Sequence, residues 1–327
     1  MTVPITAATP LAAAALALTF LLTGCGSNRT AESPSPADTS AKPESTAVAA
    51  PGSADGCPTA PVDVVVSVDQ WGDVVSELGG ACTNVKTILA SSSVDPHDYE
   101  PSPADAASFA GAKLVVVNGA DYDHWASDLA STSAPNAPII SAAEVTGTAD
   151  GANPHLWYSP AAVTAVADAV TAELAKIDPA AAGYFTERRA AFTATMQPNS
   201  ALIEKIKAGA AGKSYAATES VFDYQAEALG LVNKTPQGYQ RAAANESEPT
   251  PADIEAFQKA LADKQIDVLI YNTQTEGSIP EQIRSAAEKS GVPVVEVTET
   301  VAPGETTFVG WQDKQLEALA KALGVTP

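Results

Sequence analysis

The sequence predicts an α/β protein of two parallel-sheet lobes joined by one long, rigid helix, and three observations point to it. Short β-branched runs alternate with amphipathic stretches over residues 62–140, the pattern of a parallel sheet covered by helices on both faces. The same alternation returns over 214–323. Between them, residues 160–208 carry no strand signal, and Phe185, Arg188, Phe192, Met196, Ile203 and Ile206 recur at helical spacing.

Taken in order, the first lobe is expected to hold strands over 62–68, 84–89, 113–118 and 138–140, with helices over 71–78, 103–110 and 122–130. Helices are then expected over 160–177 and 179–208; the second is roughly 45 Å long at 1.5 Å per residue, and Pro198 should kink it. The second lobe is expected to hold strands over 214–218, 229–234, 267–272 and 293–297. Its helices fall over 221–229, 251–262, 279–289 and 311–323. This places the lobes at 57–178 and 211–327 and the linking helix at 179–210, with no sequence repeat between the lobes. A single helical link is stiffer than a hinge of loops, so large domain closure is not expected.

The chain has 327 residues, and 39 acidic against 18 basic side chains leave a net charge of −21. That balance argues against partners whose affinity comes from neutralising phosphates, so nucleic acid and anionic lipid surfaces are poor candidates. Cations are compatible with it.

An odd cysteine count raises the question of which one is committed elsewhere. Residues 11–22 form an apolar run of signal-peptide length, too short to span a bilayer. It leads into Leu22-Thr23-Gly24-Cys25, which resembles the bacterial lipobox, whose cysteine is acylated and becomes the mature N-terminus. Residues 1–24 then read as a lipoprotein signal peptide, although they contain no Lys or Arg. Residues 25–56 are rich in Ser, Thr, Ala and Pro and poor in large apolar side chains, so they read as a disordered tether. The protein is then expected on the extracytoplasmic face of the cell membrane, anchored through lipid on Cys25. Export makes a structural disulfide between the remaining Cys57 and Cys82 permissible.

There are three histidines. His97 lies in Asp95-Pro96-His97-Asp98-Tyr99-Glu100-Pro101-Ser102-Pro103-Ala104-Asp105, a loop after a strand that ends in a helix start, with Ser102 as N-cap, Pro103 at the first helical position and Asp105 completing a capping box. Ligands of open α/β sheets bind at such carboxyl ends of strands. His155, in Asn153-Pro154-His155-Leu156-Trp157-Tyr158-Ser159-Pro160, repeats the construction. Two proline-held imidazoles suggest metal ligands. His124 reads as a solvated or capping residue.

These two segments resemble the solute-binding lipoproteins of zinc and manganese ABC importers, and the resemblance extends over nearly the whole chain after about residue 60. It implies two α/β lobes with one ion between them, two ligands from each lobe, and delivery of the ion to a membrane permease by a receptor that is not an enzyme and acts as a monomer. His97 and His155 match the first-lobe ligands. The third position, after the strand at 214–218, is a histidine in zinc-specific members and a glutamate in manganese-type members; here it is Glu219. The family's fourth ligand is an aspartate in the loop after the last strand, but residues 297–305 contain none. Glu299 takes that place, with Glu305 in reserve. Two imidazoles and two carboxylates sum to −2, which a divalent ion cancels. Hard oxygen donors suit Mn2+, although Zn2+ binds such sites tightly, and residues 141–153 lack the His-rich insertion of many zinc-dedicated relatives. The ion is therefore expected to be Mn2+ rather than Zn2+.

Other chemistries lack their parts. Gly212-Lys213-Ser214 would need a glycine at 207 to form a phosphate loop, and that residue is Lys207. No His-Glu-x-x-His helix or nucleophile elbow occurs. The rival readings are a metal-dependent hydrolase and a surface adhesin or iron-chelate binder on the same fold.

Overall fold

The computed structural model describes residues 56–90, 99–245, 247–275 and 277–327. The signal segment 1–24, Cys25, the tether up to residue 55 and His97 lie outside the described residues. Among the described residues, no helix is long and apolar enough to cross a membrane.

The first lobe runs β1 (Val62–Val68), α1 (Asp69–Gly79), β2 (Thr83–Leu89), α2 (Pro103–Ser108), β3 (Leu114–Val117), α3 (His124–Ser133), β4 (Ile139–Ser141) and α4 (Ala142–Thr146). Its strands are all parallel in the order β2-β1-β3-β4, with Val64 opposite both Val85 and Leu114. Val64 and Val66 enter one apolar cluster and Val65 the other, so the valine run is buried on both faces, as a covered parallel sheet requires. A disulfide joins Cys57, just before β1, to Cys82, just before β2.

The chain then forms α5 (Pro160–Ile177), a 3₁₀ turn at Pro179–Ala181 and α6 (Ala182–Gly209). Helix α6 runs through Pro198 and is about 42 Å long at 1.5 Å per residue. The second lobe follows as β5 (Ser214–Ala217), α7 (Asp223–Ala228), β6 (Val232–Asn233), α8 (Gln237–Ala244), α9 (Pro251–Ala262), β7 (Val268–Asn272), α10 (Ser278–Ser290), β8 (Val294–Val297) and α11 (Phe308–Ala322). Its parallel order is β6-β5-β7-β8, the order of the first sheet. One apolar cluster runs from Val64 and Trp71 through Phe185 and Ile206 to Phe222 and Trp311. The two lobes and α6 thus share one continuous apolar cluster, and each lobe adds a smaller one of its own.

Local chemistry accounts for several boundaries. Ser102 and Asp105 form the expected capping box of α2, and Ser159 with Pro160 opens α5. Three expectations differ. The strand expected over 229–234 is only Val232–Asn233, because Gly230, at φ +70°, ends α7 in a left-handed turn. The helix expected from 122 begins at His124, since Ala120 and Asp121 sit at φ +54° and +64°. Helices α4 and α8 were not anticipated, the first being only five residues long and the second burying a single side chain, Tyr239.

Candidate metal centre

Both sheets turn the carboxyl ends of their strands toward the same place. From the first lobe comes His155, 1 % exposed, on the loop before the 3₁₀ turn Leu156–Tyr158. Asn153 orients it: Asn153 Oδ1 accepts the His155 backbone N–H at 3.0 Å and lies 2.7 Å from Nδ1. Nδ1 therefore carries the proton in the neutral ring and Nε2 keeps its lone pair. Nε2 lies 3.5 Å from Glu299 Oε2. The Trp157 ring meets the imidazole edge-on, with centroids 5.3 Å apart.

The second lobe supplies two carboxylates. Glu219 follows β5 in an extended conformation, and Glu299, 1 % exposed, follows β8. Glu219 Oε2 accepts Asn272 Nδ2–H at 2.8 Å and the Thr275 hydroxyl. Glu299 Oε1 accepts the other Asn272 Nδ2 hydrogen at 2.9 Å, and Glu299 Oε2 accepts the Tyr122 hydroxyl at 3.1 Å. The Glu299 backbone is also held, since Gln274 Oε1 accepts its N–H at 2.7 Å and that of Thr300 at 3.1 Å.

One donor atom each from His155, Glu219 and Glu299 lies within 4.8 Å of the others. One nitrogen and two carboxylate oxygens, gathered that closely, form a donor set fit for a divalent transition ion. Glu305 stands apart, ion-paired at 2.7 Å with Lys314, and His124 is exposed. A cavity of about 110 Å³ lined by Asp121, Tyr122, His155, Glu219 and Ala243 opens onto the cluster. The larger hollow, about 850 Å³, lies along the β8 edge beside Trp311 and is lined by neither His155, Glu219 nor Glu299.

The electrostatics follow from burial beside charge. Burial pulls the His155 pKa down, but the hydrogen bond and charge of Glu299, with Glu219 and Asp223 behind it, outweigh that and raise it. Burial raises the Asp223 carboxyl, while its hydrogen bond from Tyr215 and the nearby His155 pull the other way.

Sequence reasoning missed Tyr122, Asn272 and Gln274. Tyr122 is aimed by three consecutive left-handed residues, Gly119, Ala120 and Asp121, the latter two each costing on the order of 1 kcal/mol. The Asp123 carboxylate holds that turn by accepting the N–H groups of Asn118 and Gly119 at 2.7 and 2.8 Å. A Cβ on Gly119 would come within 2.3 Å of Ser141 Oγ, so only glycine fits there. The available signal was an Asn-Gly pair closing one strand, Asn118-Gly119, and an amide-rich Asn272-Thr273-Gln274 closing another.

Comparison with known proteins gives matches over most of the chain. The family model described as zinc-uptake complex component A, periplasmic, matches residues 64–322. The high-affinity zinc uptake system protein ZnuA of Bacillus subtilis is 23 % identical over 217 residues, 61 % of this chain and 67 % of that protein. The manganese-binding lipoprotein MntA of the same organism is 25 % identical over 291 residues, 85 % of each. The solved structure of the periplasmic zinc-binding protein TroA from Treponema pallidum superposes with a TM-score of 0.67 at 19 % identity, covering 80 % of this chain and 99 % of that one.

Proposed function

The chain belongs to the family of the periplasmic component A of zinc-uptake complexes, and from that premise we propose that it captures Mn2+ in preference to Zn2+ outside the cytoplasm and hands it to an ABC permease. The family is one of metal-binding receptors rather than enzymes. His155, Glu219 and Glu299 are the ligands, and His97 is the fourth. The single observation that carries this reading is the convergence of one imidazole and two carboxylates from opposite lobes within 4.8 Å.

Charge and donor type support manganese. The two carboxylates neutralise a divalent ion, and their oxygens are harder than a third imidazole. Residues 1–24 act as the lipoprotein signal, Cys25 carries the lipid, and residues 25–56 tether lobes 57–178 and 211–327, joined by the 179–210 helix, to the membrane as a monomer.

The test is the metal content of the purified protein. The wild type should carry one divalent ion per chain after exposure to Mn2+, and His155→Ala combined with Glu219→Gln should carry none after the same treatment. Full retention by that double variant would overturn the site.

A further inference from the structure

Asn272 closes strand β7 at 2 % exposure, and its side-chain amide touches both candidate carboxylates. Its orientation is set from the other side. Asn272 Oδ1 accepts the Gln274 backbone N–H at 3.1 Å, so Nδ2 must face the glutamates. Its two hydrogens then divide, one to Glu219 Oε2 at 2.8 Å and one to Glu299 Oε1 at 2.9 Å.

The consequence lies in which oxygens remain for an ion. Glu219 Oε2 also accepts the Thr275 hydroxyl, so both of its lone pairs are engaged and Oε1 is the oxygen left to bind metal. In Glu299, Oε2, which also accepts the Tyr122 hydroxyl at 3.1 Å, is the oxygen that faces His155 Nε2, at 3.5 Å, while Oε1 is turned to Asn272. Glu219 is thereby presented through a single oxygen, and Glu299 is turned so that Oε2 leads toward the imidazole. Single-oxygen donors keep the coordination number low, which zinc accepts at four, whereas manganese favours a fuller, oxygen-rich shell that two-oxygen carboxylates help to complete.

Resting on the metal-receptor reading above, we infer that Asn272 is a specificity-determining residue: by holding one oxygen of each glutamate, it makes Glu219 a single-oxygen ligand, turns Glu299 to lead with Oε2, and restrains the preference for manganese that the donor types alone would give. It touches the ligands, not the ion, and so acts as a positioning residue.

The experiment compares full-length wild type with Asn272→Leu, a near-isosteric change that removes both donors. Dissociation constants for Mn2+ and Zn2+ are measured by chelator competition, and the number of atoms bound to manganese is read by X-ray absorption. Zinc affinity should fall by roughly 10- to 100-fold, as for loss of other outer partners. Manganese affinity should fall less, so that the Kd ratio of Mn2+ to Zn2+ drops at least about threefold, and the manganese shell should gain oxygen neighbours. Equal weakening of both ions, or an unchanged shell, would mean a purely structural role and overturn the inference. Should Asn272→Leu fail to fold by circular dichroism, Asn272→Ser, which also lacks the reach to either glutamate, decides by the same ratio. A wild type that binds neither ion, or binds without needing His155 and Glu219, would instead sink the receptor reading itself.

Discussion

The two lobes share one strand order, β2-β1-β3-β4 and β6-β5-β7-β8, yet they bring different chemistry to the place where they meet. The first contributes the His155 imidazole, set among Tyr122 and Trp157. The second contributes both carboxylates and the amides, Asn272 and Gln274, that hold them. The lobes differ in reinforcement too, because the Cys57–Cys82 disulfide lies in the first. Repetition of a parallel sheet therefore decides where loops converge, and the residues ending each strand decide what the loops deliver. Among the described residues, both candidate ligand carboxylates come from one side of the meeting point. Two carboxylates kept close without an ion repel each other, and shared hydrogen bonds from a neutral amide are what keep them together.

The sharpest way to break this contrast is to remove the charge from the second lobe alone. Glu219→Gln with Glu299→Gln leaves a divalent ion unneutralised in a buried site, and breaking buried ion pairs costs about 3–5 kcal/mol. Metal affinity should drop on the order of 1,000-fold, measured by chelator competition, while His155→Ala alone should cost less. Equal losses from the two lobes would show that charge is not the organising difference. Next in size is the staple of the first lobe. The cysteines are 25 residues apart, and opening a loop of that length should cost about 3 kcal/mol of stability. Cys57→Ser with Cys82→Ser should lower the Tm accordingly and leave metal affinity nearly unchanged, since neither cysteine belongs to the ligand cluster.

Much of this contrast is legible in the sequence, and the remainder is hidden for identifiable reasons. The valine runs at β1 and β3 and the Ser-Pro caps of α2 and α5 are local signals, read from a few adjacent residues. His155 announces itself by its proline-bounded loop. Glu299 and Glu305 were harder to separate, because both sit on the loop after β8; what distinguishes them is that Gln274, 25 residues earlier in the chain, clamps the backbone of one, while Lys314 pairs with the other. Tyr122 reaches Glu299 across 177 residues, and Asn272 reaches it across 27. No periodicity reports such partners. Helix α8 and the shortened β6 escaped for the opposite reason, having too little buried surface to leave a pattern.

Acid should separate the lobes by a smaller amount. The metal takes the neutral imidazole, whereas in the metal-free protein the His155 pKa stands above its ordinary value: burial opposes the rise, and Glu299, Glu219 and Asp223 prevail. Below that raised pKa, capture should weaken by up to about tenfold per pH unit, because one proton must leave on binding. Stability of the metal-free protein should move the opposite way. A raised folded pKa contributes stability that is fully present below the unfolded value and is lost as pH rises through the folded one. Asp69, pushed up to about 7 chiefly by burial, acts in the same direction, since its folded state also holds a proton that the unfolded chain has released. Thermal unfolding of metal-free protein should therefore show a Tm that falls from pH 6 toward pH 8, and a metal affinity that rises over the same interval.

The smallest expected effect tests whether the lobes are held together independently of the ligands. Tyr158, fully buried three residues after His155, sends its hydroxyl into the second lobe, 2.7 Å from both Thr298 O and Gln315 Oε1. Tyr158→Phe keeps the ring, which packs against Phe222 and Trp311, and removes the shared hydrogen. Gln315 Oε1 still accepts the Thr298 N–H at 3.3 Å, so the group left short of a partner is the Thr298 carbonyl. Loss of one such bond should cost about 1 kcal/mol, a fall in Tm of roughly 2–4 °C. Metal affinity should change only a few-fold, because Glu299, next to Thr298, retains its own clamps on Gln274 and Asn272. A loss as large as that from His155→Ala would show instead that the fit between the lobes, rather than the chemistry each one carries, governs capture.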